Sequence, residues 1–113
     1  MHELAVTQSI LDISIRHANE AGAKRITSIN IVIGQFASIV DDSVQFYWNI
    51  VSEGTIAQNA SLRFERIPAE MTCRACGHTF HPGDQTFECP SCSSNSVRIT
   101  QGEEFRVDSI DVE

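Results

Sequence analysis

Apolar positions along the chain recur with two periods, and each marks a kind of element. Over residues 4–21 the period is helical. Leu4, Val6, Ile10, Leu11, Ile13, Ile15, Ala18 and Ala21 cover one broad face, while Gln8, Ser9, Asp12, Arg16, Asn19 and Glu20 take the other. Gly22 is a natural stop. His17 falls on the apolar side beside Ile10 and Ile13. No Cys or His shares that face, so it reads as a packed histidine with one satisfied ring nitrogen rather than a ligand. Residues 24–36 alternate instead and predict a strand. Ile29, Ile31 and Ile33 point one way, and Ile26, Ser28, Asn30 and Val32 the other, a mixed face expected to be partly covered. Gly34 and Gln35 end or bend the strand. Asp41, Asp42 and Ser43 offer N-cap oxygens and favourable charge to a second helix running to Glu53, with Gly54 as its stop. Val44, Tyr47, Trp48 and Val51 form its apolar stripe, with Phe46 and Ile50 beside it, and the whole set reads as core.

Residues 60–67 predict a second strand, Leu62 and Phe64 inward, Arg63 and Glu65 outward, closed by Pro68. A third follows over residues 104–112. Phe105 and Val107 share one phase, Ile110 and Val112 the other. The change at Asp108 and Ser109 predicts a bulge or a strand covered on different faces along its length. The order helix, strand, helix, strand, cysteine-rich segment, strand predicts an α+β fold, a small three-stranded sheet with two helices. Residues 1–69 and 101–113 form the α/β domain, and residues 70–100 are an inserted zinc-ribbon-like module entered through Pro68-Ala69-Glu70.

All four cysteines lie in that insert, as Cys73-Arg74-Ala75-Cys76 and Cys89-Pro90-Ser91-Cys92 with twelve residues between the pairs. Two such corners can set four thiolates at the vertices of a tetrahedron, which suits Zn²⁺. Gly77 and Pro90 supply turn chemistry, and Pro82-Gly83-Asp84 suits a hairpin between the corners. Four sulfur ligands close the coordination sphere, so the metal is structural rather than catalytic. Iron on the same ligands, or two disulfides in an exported chain, would also satisfy the spacing. A thioredoxin-type redox pair fits poorly, because that motif does not come doubled.

Charge narrows the function further. The chain has 113 residues and a formal net charge of −7. Within residues 71–100 Arg74 and Arg98 stand against Asp84 and Glu88, so the insert lacks the basic face that phosphate binding needs. The start has no basic segment ahead of an uninterrupted apolar run, and no stretch reaches membrane-spanning length, which predicts a cytoplasmic protein without a membrane partner. Nothing resembles a nucleophile aligned with a base, so the chain does not read as an enzyme.

Met1-His2-Glu3 precedes the first helix directly. An α-amine, the next backbone amide and the His2 imidazole can form fused chelate rings in a square plane. That geometry suits Ni²⁺ or Cu²⁺, and Glu3 can add an amide nitrogen or a carboxylate oxygen. With Met1-His2-Glu3-Leu4 opening a helix, Gly22-Ala23-Lys24-Arg25-Ile26-Thr27, Ile33-Gly34 and the late four-cysteine insert, the chain resembles the hydrogenase-maturation nickel metallochaperone family (HypA/HybF) over essentially its whole length. The resemblance implies transient Ni(II) cargo on His2, with Glu3 assisting, and structural Zn(II) on Cys73, Cys76, Cys89 and Cys92. It implies a HypB-type maturation GTPase and the large subunit of [NiFe]-hydrogenase as partners, with urease maturation proteins served by some members. Some members carry a histidine after each cysteine pair; here His78 follows the first pair, but Ser93 follows the second directly. His78 and His81 are therefore expected at the surface rather than on the metal. Monomer and homodimer are both open from the sequence. The competing readings are a zinc-ribbon nucleic-acid binder, disfavoured by charge, and a zinc-containing adaptor with no second metal.

Overall fold

The computed structural model describes residues 3–82 and 87–113. Its elements are α1 (Glu3–Glu20), β1 (Ile26–Gly34), a 3-10 turn (Gln35–Ala37), α2 (Asp41–Val51), β2 (Ser61–Ile67), β3 (Glu70–Cys73), β4 (Thr79–Phe80), β5 (Val97–Gln101) and β6 (Phe105–Val112). Two three-stranded sheets result, ordered β2-β1-β6 and β4-β3-β5. The expected α+β class and the three-strand, two-helix framework are both present. The chain divides into two compact units. The first is Met1–Val32, Ser38–Glu65 and Arg106–Glu113; the second is Ile33–Ala37 and Arg66–Phe105.

The first unit is held by apolar burial. On α1 the buried positions are Val6, Thr7, Ile10, Leu11, Ser14 and Ala18. The run 7, 11, 14, 18 is a single stripe at helical spacing, narrower than the broad face expected. Leu4 and Ala21 consequently lie exposed, Ile13 and Ile15 only half-buried. His17 is also outside the core: its side chain is 54% exposed, with Nδ1 3.6 Å from the Glu20 carboxylate. Thr7 enters the stripe because its own hydroxyl donates back to the Glu3 carbonyl at 2.5 Å. The helix ends in a Schellman turn, with Gly22 at φ 67° and the Ala23 amide bonded to the Ala18 carbonyl at 2.9 Å.

α2 departs from expectation at both ends and on one face. Its N-cap is Val40, with no side-chain cap, so Asp41 and Asp42 act by charge at the positive end of the helix dipole. It closes at Val51 rather than Glu53, where Ser52 turns its hydroxyl onto the Trp48 carbonyl at 2.6 Å. Val44 and Trp48 are buried, but Phe46 is 61% and Ile50 56% exposed. At about 100° per residue, Phe46 and Ile50 lie about 160° from Trp48 on either side, which is the far face of the helix.

β1 carries the core of the sheet. Ile26, Ile29, Ile31, Val32 and Ile33 are all buried, so its second face is more covered than expected. Polar groups there survive burial by pairing with β6. Ser28 donates to the Asp111 carboxylate, and the Asn30 amide donates to Ser109 at 2.9 Å. Asp111 also lies 3.6 Å from Arg63 on β2, so one carboxylate ties all three strands on this face. β6 runs through Asp108 and Ser109 as one strand, and its half-buried positions change phase there, Phe105 and Val107 on one side of the change and Ile110 on the other.

The second unit is small and recruits the end of β1. Gly34 and Phe36 donate to the Glu104 and Gly102 carbonyls, each at 2.7 Å, and the Ala69 amide donates to Gln35 Oε1 at 2.8 Å. Gly34 is obligatory at this crossing, because a Cβ there would stand 2.0 Å from the Gly102 oxygen. β3 pairs antiparallel with β4 and with β5. The buried core between them is Met71, Cys73, Phe80 and Cys89, with Phe36 and Val97 packed against it.

Candidate metal centre

Each cysteine pair is a tight knuckle, and the two knuckles share one backbone pattern. In the first, Gly77 donates to the Cys73 carbonyl at 2.9 Å and Cys73 donates to the His78 carbonyl at 2.8 Å. In the second, Ser93 donates to the Cys89 carbonyl at 2.8 Å and Cys89 donates to the Ser94 carbonyl at 3.0 Å. The residue after each second cysteine is left-handed: Gly77 at φ 79°, Ser93 at φ 62°. They differ at the residue after the first cysteine. Arg74 donates to the Ser96 carbonyl at 2.8 Å, tying its knuckle to the start of β5. Pro90 holds the matching position and has no N–H to give.

This repetition aims four sulfurs at one point. Cys73 and Cys89 are buried, Cys76 and Cys92 exposed, and none is in a disulfide. The Sγ atoms of Cys73 and Cys92 are 3.5 Å apart, those of Cys76 and Cys89 3.6 Å. All four lie within 4.8 Å of one another. A tetrahedron with metal–sulfur bonds of about 2.3 Å has edges of about 3.8 Å, so the cluster fits a structural zinc site. Among the described residues no other group of His, Cys, Asp and Glu is arranged to hold an ion.

The thiols answer one another electrostatically. Cys73 is lowered to about 6, chiefly because the Cys76 amide donates to its sulfur; the Ala75 amide and the Cys92 and Cys76 thiols assist against the opposing effect of burial. Cys92 is pushed up to about 12. The Ser94 amide is its strongest single neighbour and favours the thiolate, but the Cys73 and Cys76 thiols, burial and Cys89 together outweigh it. Four adjacent sulfurs cannot all ionise without a cation between them. The amide donors of Ala75, Cys76 and Ser94 are functional groups that residue-type reasoning misses, because any residue supplies an N–H; the knuckle spacing was the only signal.

The remaining candidates separate from this cluster. His78 is exposed and its ring stacks on Phe80, centroids 6.2 Å apart and 8° from parallel. His81 is exposed, and its Nδ1 bonds the Ala69 carbonyl at 2.8 Å. Glu3 is half-buried and begins α1. His2, together with Gly83 and Asp84 of the expected hairpin, lies outside the described residues.

Comparison with known proteins extends these local features to the whole chain. Residues 1–112 match the family described as HypA, hydrogenase/urease nickel incorporation metallochaperone. A hydrogenase maturation factor HypA from Dehalococcoides mccartyi is 44% identical over 113 residues, covering 100% of this chain and 95% of that protein. A solution structure of a HypA protein aligns at TM-score 0.74 and 27% identity, covering 100% of this chain and 97% of that one. The Ni metallochaperone HypA from Helicobacter pylori aligns at TM-score 0.69 and 26% identity over 99% of this chain and 97% of its own. By a match that leaves one residue unaligned, this chain belongs to the HypA family of hydrogenase/urease nickel-incorporation metallochaperones.

Proposed function

We propose that the protein carries Ni(II) at its N-terminus and delivers it to the large subunit of [NiFe]-hydrogenase during maturation, while Zn(II) on Cys73, Cys76, Cys89 and Cys92 fixes the shape of its second unit. Residues 1–69 and 101–113 serve as the nickel-binding domain and residues 70–100 as the zinc module. The single observation that carries this reading is the family match over residues 1–112, a span that takes in Met1-His2-Glu3. The division of labour follows from donor chemistry. Thiolates hold zinc in a closed tetrahedron, whereas an amine, a deprotonated amide and the His2 imidazole favour a square plane suited to nickel. Glu3 supplies a further nitrogen or a carboxylate oxygen.

Delivery is ligand exchange rather than catalysis: a partner with softer or more numerous donors takes the ion. A HypB-type GTPase and urease maturation proteins are the further partners of this reading, in the cytoplasm. No helix among the described residues is long and apolar enough to cross a membrane. The deciding experiment is calorimetric nickel titration on zinc-loaded protein with nothing added before Met1, beside the His2→Ala variant. Nickel uptake should be lost in the variant while zinc content stays at one ion per chain. Coincident curves, or nickel found on the thiolates, would discard the proposal in favour of an adaptor without nickel.

A further inference from the structure

We infer that the outer face of α2 is a docking surface for a cationic amphipathic segment of a protein partner. The inference needs neither His2 nor a bound metal, and so stands apart from the nickel reading. Phe46 and Ile50 sit one helical turn apart on this face and are the two most exposed large apolar side chains among the described residues, at 61% and 56%. The ridge is ordered before any partner arrives. The Phe46 ring is braced edge-on by Tyr47, centroids 5.3 Å apart at 74°. On the adjoining stripe the Gln45 amide donates to Asn49 at 3.1 Å. A pre-set apolar pair costs little entropy to engage.

Charge selects the occupant. Asp42 lies one turn before Phe46, and Glu53 follows Ile50 by three residues in the turn that ends the helix. α2 contains no lysine or arginine. Asp42 is favoured by the helix dipole, but Glu53 stands at the negative end, where an anion is disfavoured. Among the described residues no ion pair answers either carboxylate. A second copy, with the same acidic ends and a net charge of −7, would be repelled. A segment with two apolar anchors and lysine or arginine on either side satisfies both the ridge and its ends.

The test uses the whole zinc-loaded chain and two synthetic helical peptides. Both carry leucines four residues apart, flanked in one by lysines and in the other by glutamates. The lysine peptide should bind and shift the α2 amide resonances. Affinity should fall about tenfold or more in Phe46→Ser/Ile50→Ser, as for truncated hot-spot residues. It should fall about threefold in Asp42→Asn/Glu53→Gln or on raising salt from 0.05 to 0.3 M. The glutamate peptide should bind at least about tenfold more weakly. Equal affinity for the two peptides, affinity unchanged by Phe46→Ser/Ile50→Ser, or no binding to the parent chain would each overturn the inference. So would a dimer in sedimentation that Phe46→Ser/Ile50→Ser dissolves, since a second copy would then cover the ridge. Both substitutions are at exposed positions, and unchanged amide-exchange protection in α1 and β1 checks that the first unit of the variants is folded.

Discussion

The two compact units bury side chains by different means. The first closes on Ile10, Ile26, Ile29, Ile31, Val44 and Trp48, all essentially inaccessible. In the second, the cluster between the strands has four buried residues, and two of them are the cysteines Cys73 and Cys89. Apolar area drives the first fold. In the second the sulfurs stand where a larger domain would place leucines, and their mutual repulsion must be cancelled by an ion. A small unit of this kind gets its folding free energy from metal binding, with apparent values of about 10–16 kcal/mol for structural zinc.

The largest expected effect follows directly. Stripping zinc with a strong chelator should abolish amide-exchange protection in β3 and β5 while leaving α1 and β1 protected. Cys73→Ser should do the same without chelator. Protection retained in β3 and β5 of the metal-free chain would mean that Met71, Phe80, Phe36 and Val97 suffice, and the contrast between the units would fail.

The converse perturbation is smaller. Trp48 is 1% exposed. Trp48→Ala should cost about 3–5 kcal/mol by chemical denaturation of the zinc-loaded chain, the range for an aromatic truncated in a packed core. Zinc stoichiometry should not change. Loss of zinc in this variant would show that the units do not fail separately.

The contrast also explains what could be read from the residues alone. Helix and strand periods were legible because the first unit is built by apolar burial, which leaves a periodic trace. α1, β1, α2, β2 and β6 all appear within a few residues of expectation. The four-cysteine cluster was legible because ligand spacing is a separate signal, independent of hydropathy. β3 and β5 were not: β3 buries Met71 and Cys73 in alternation, but four residues are too short a run to stand out, and β5 buries none of its five. The width of an apolar face was equally hidden. Phe46, Ile50 and His17 have the right chemistry for a core, but which of several apolar stripes meets the sheet depends on the neighbouring element. The nickel candidates His2 and Glu3 rested on local chelate chemistry and family likeness, not on any periodicity.

Acid should separate the units by proton competition. Cys73, lowered to about 6, is already ionised at pH 7.5, whereas Cys92, pushed up to about 12, must surrender a proton to the metal throughout the working range. Below pH 6 the Cys73 proton must be displaced as well. The slope of log zinc affinity against pH should therefore steepen by about one as pH falls through 6, because bound protons compete with the ion. Chelator competition between pH 8 and 5 measures it. The first unit, without thiols, should keep its protection over the same span. An unbroken slope would show that Cys73 is not selectively stabilised as thiolate.

The finest test lies inside the second unit, between the two knuckles. Gly77 and Ser93 occupy equivalent left-handed positions, at φ 79° and 62°. A residue with a side chain there carries a steric cost of roughly 1–2 kcal/mol that glycine avoids. Glycine gives back roughly 0.5–1 kcal/mol through its greater freedom in the unfolded chain. Ser93→Gly should therefore stabilise the zinc-loaded unit by up to about 1 kcal/mol, read as an increase of up to about fivefold in zinc affinity. Gly77→Ser should lower it by a similar factor. The pair is informative because the backbone hydrogen bonds of the two knuckles match while their tethers differ, Arg74 being tied to Ser96 and Pro90 having no N–H to donate. If Ser93→Gly weakens zinc binding instead, the stiffness supplied by Ser93 and Pro90 together substitutes for the missing tether. The second knuckle would then be held by restricted backbone freedom where the first is held by a hydrogen bond.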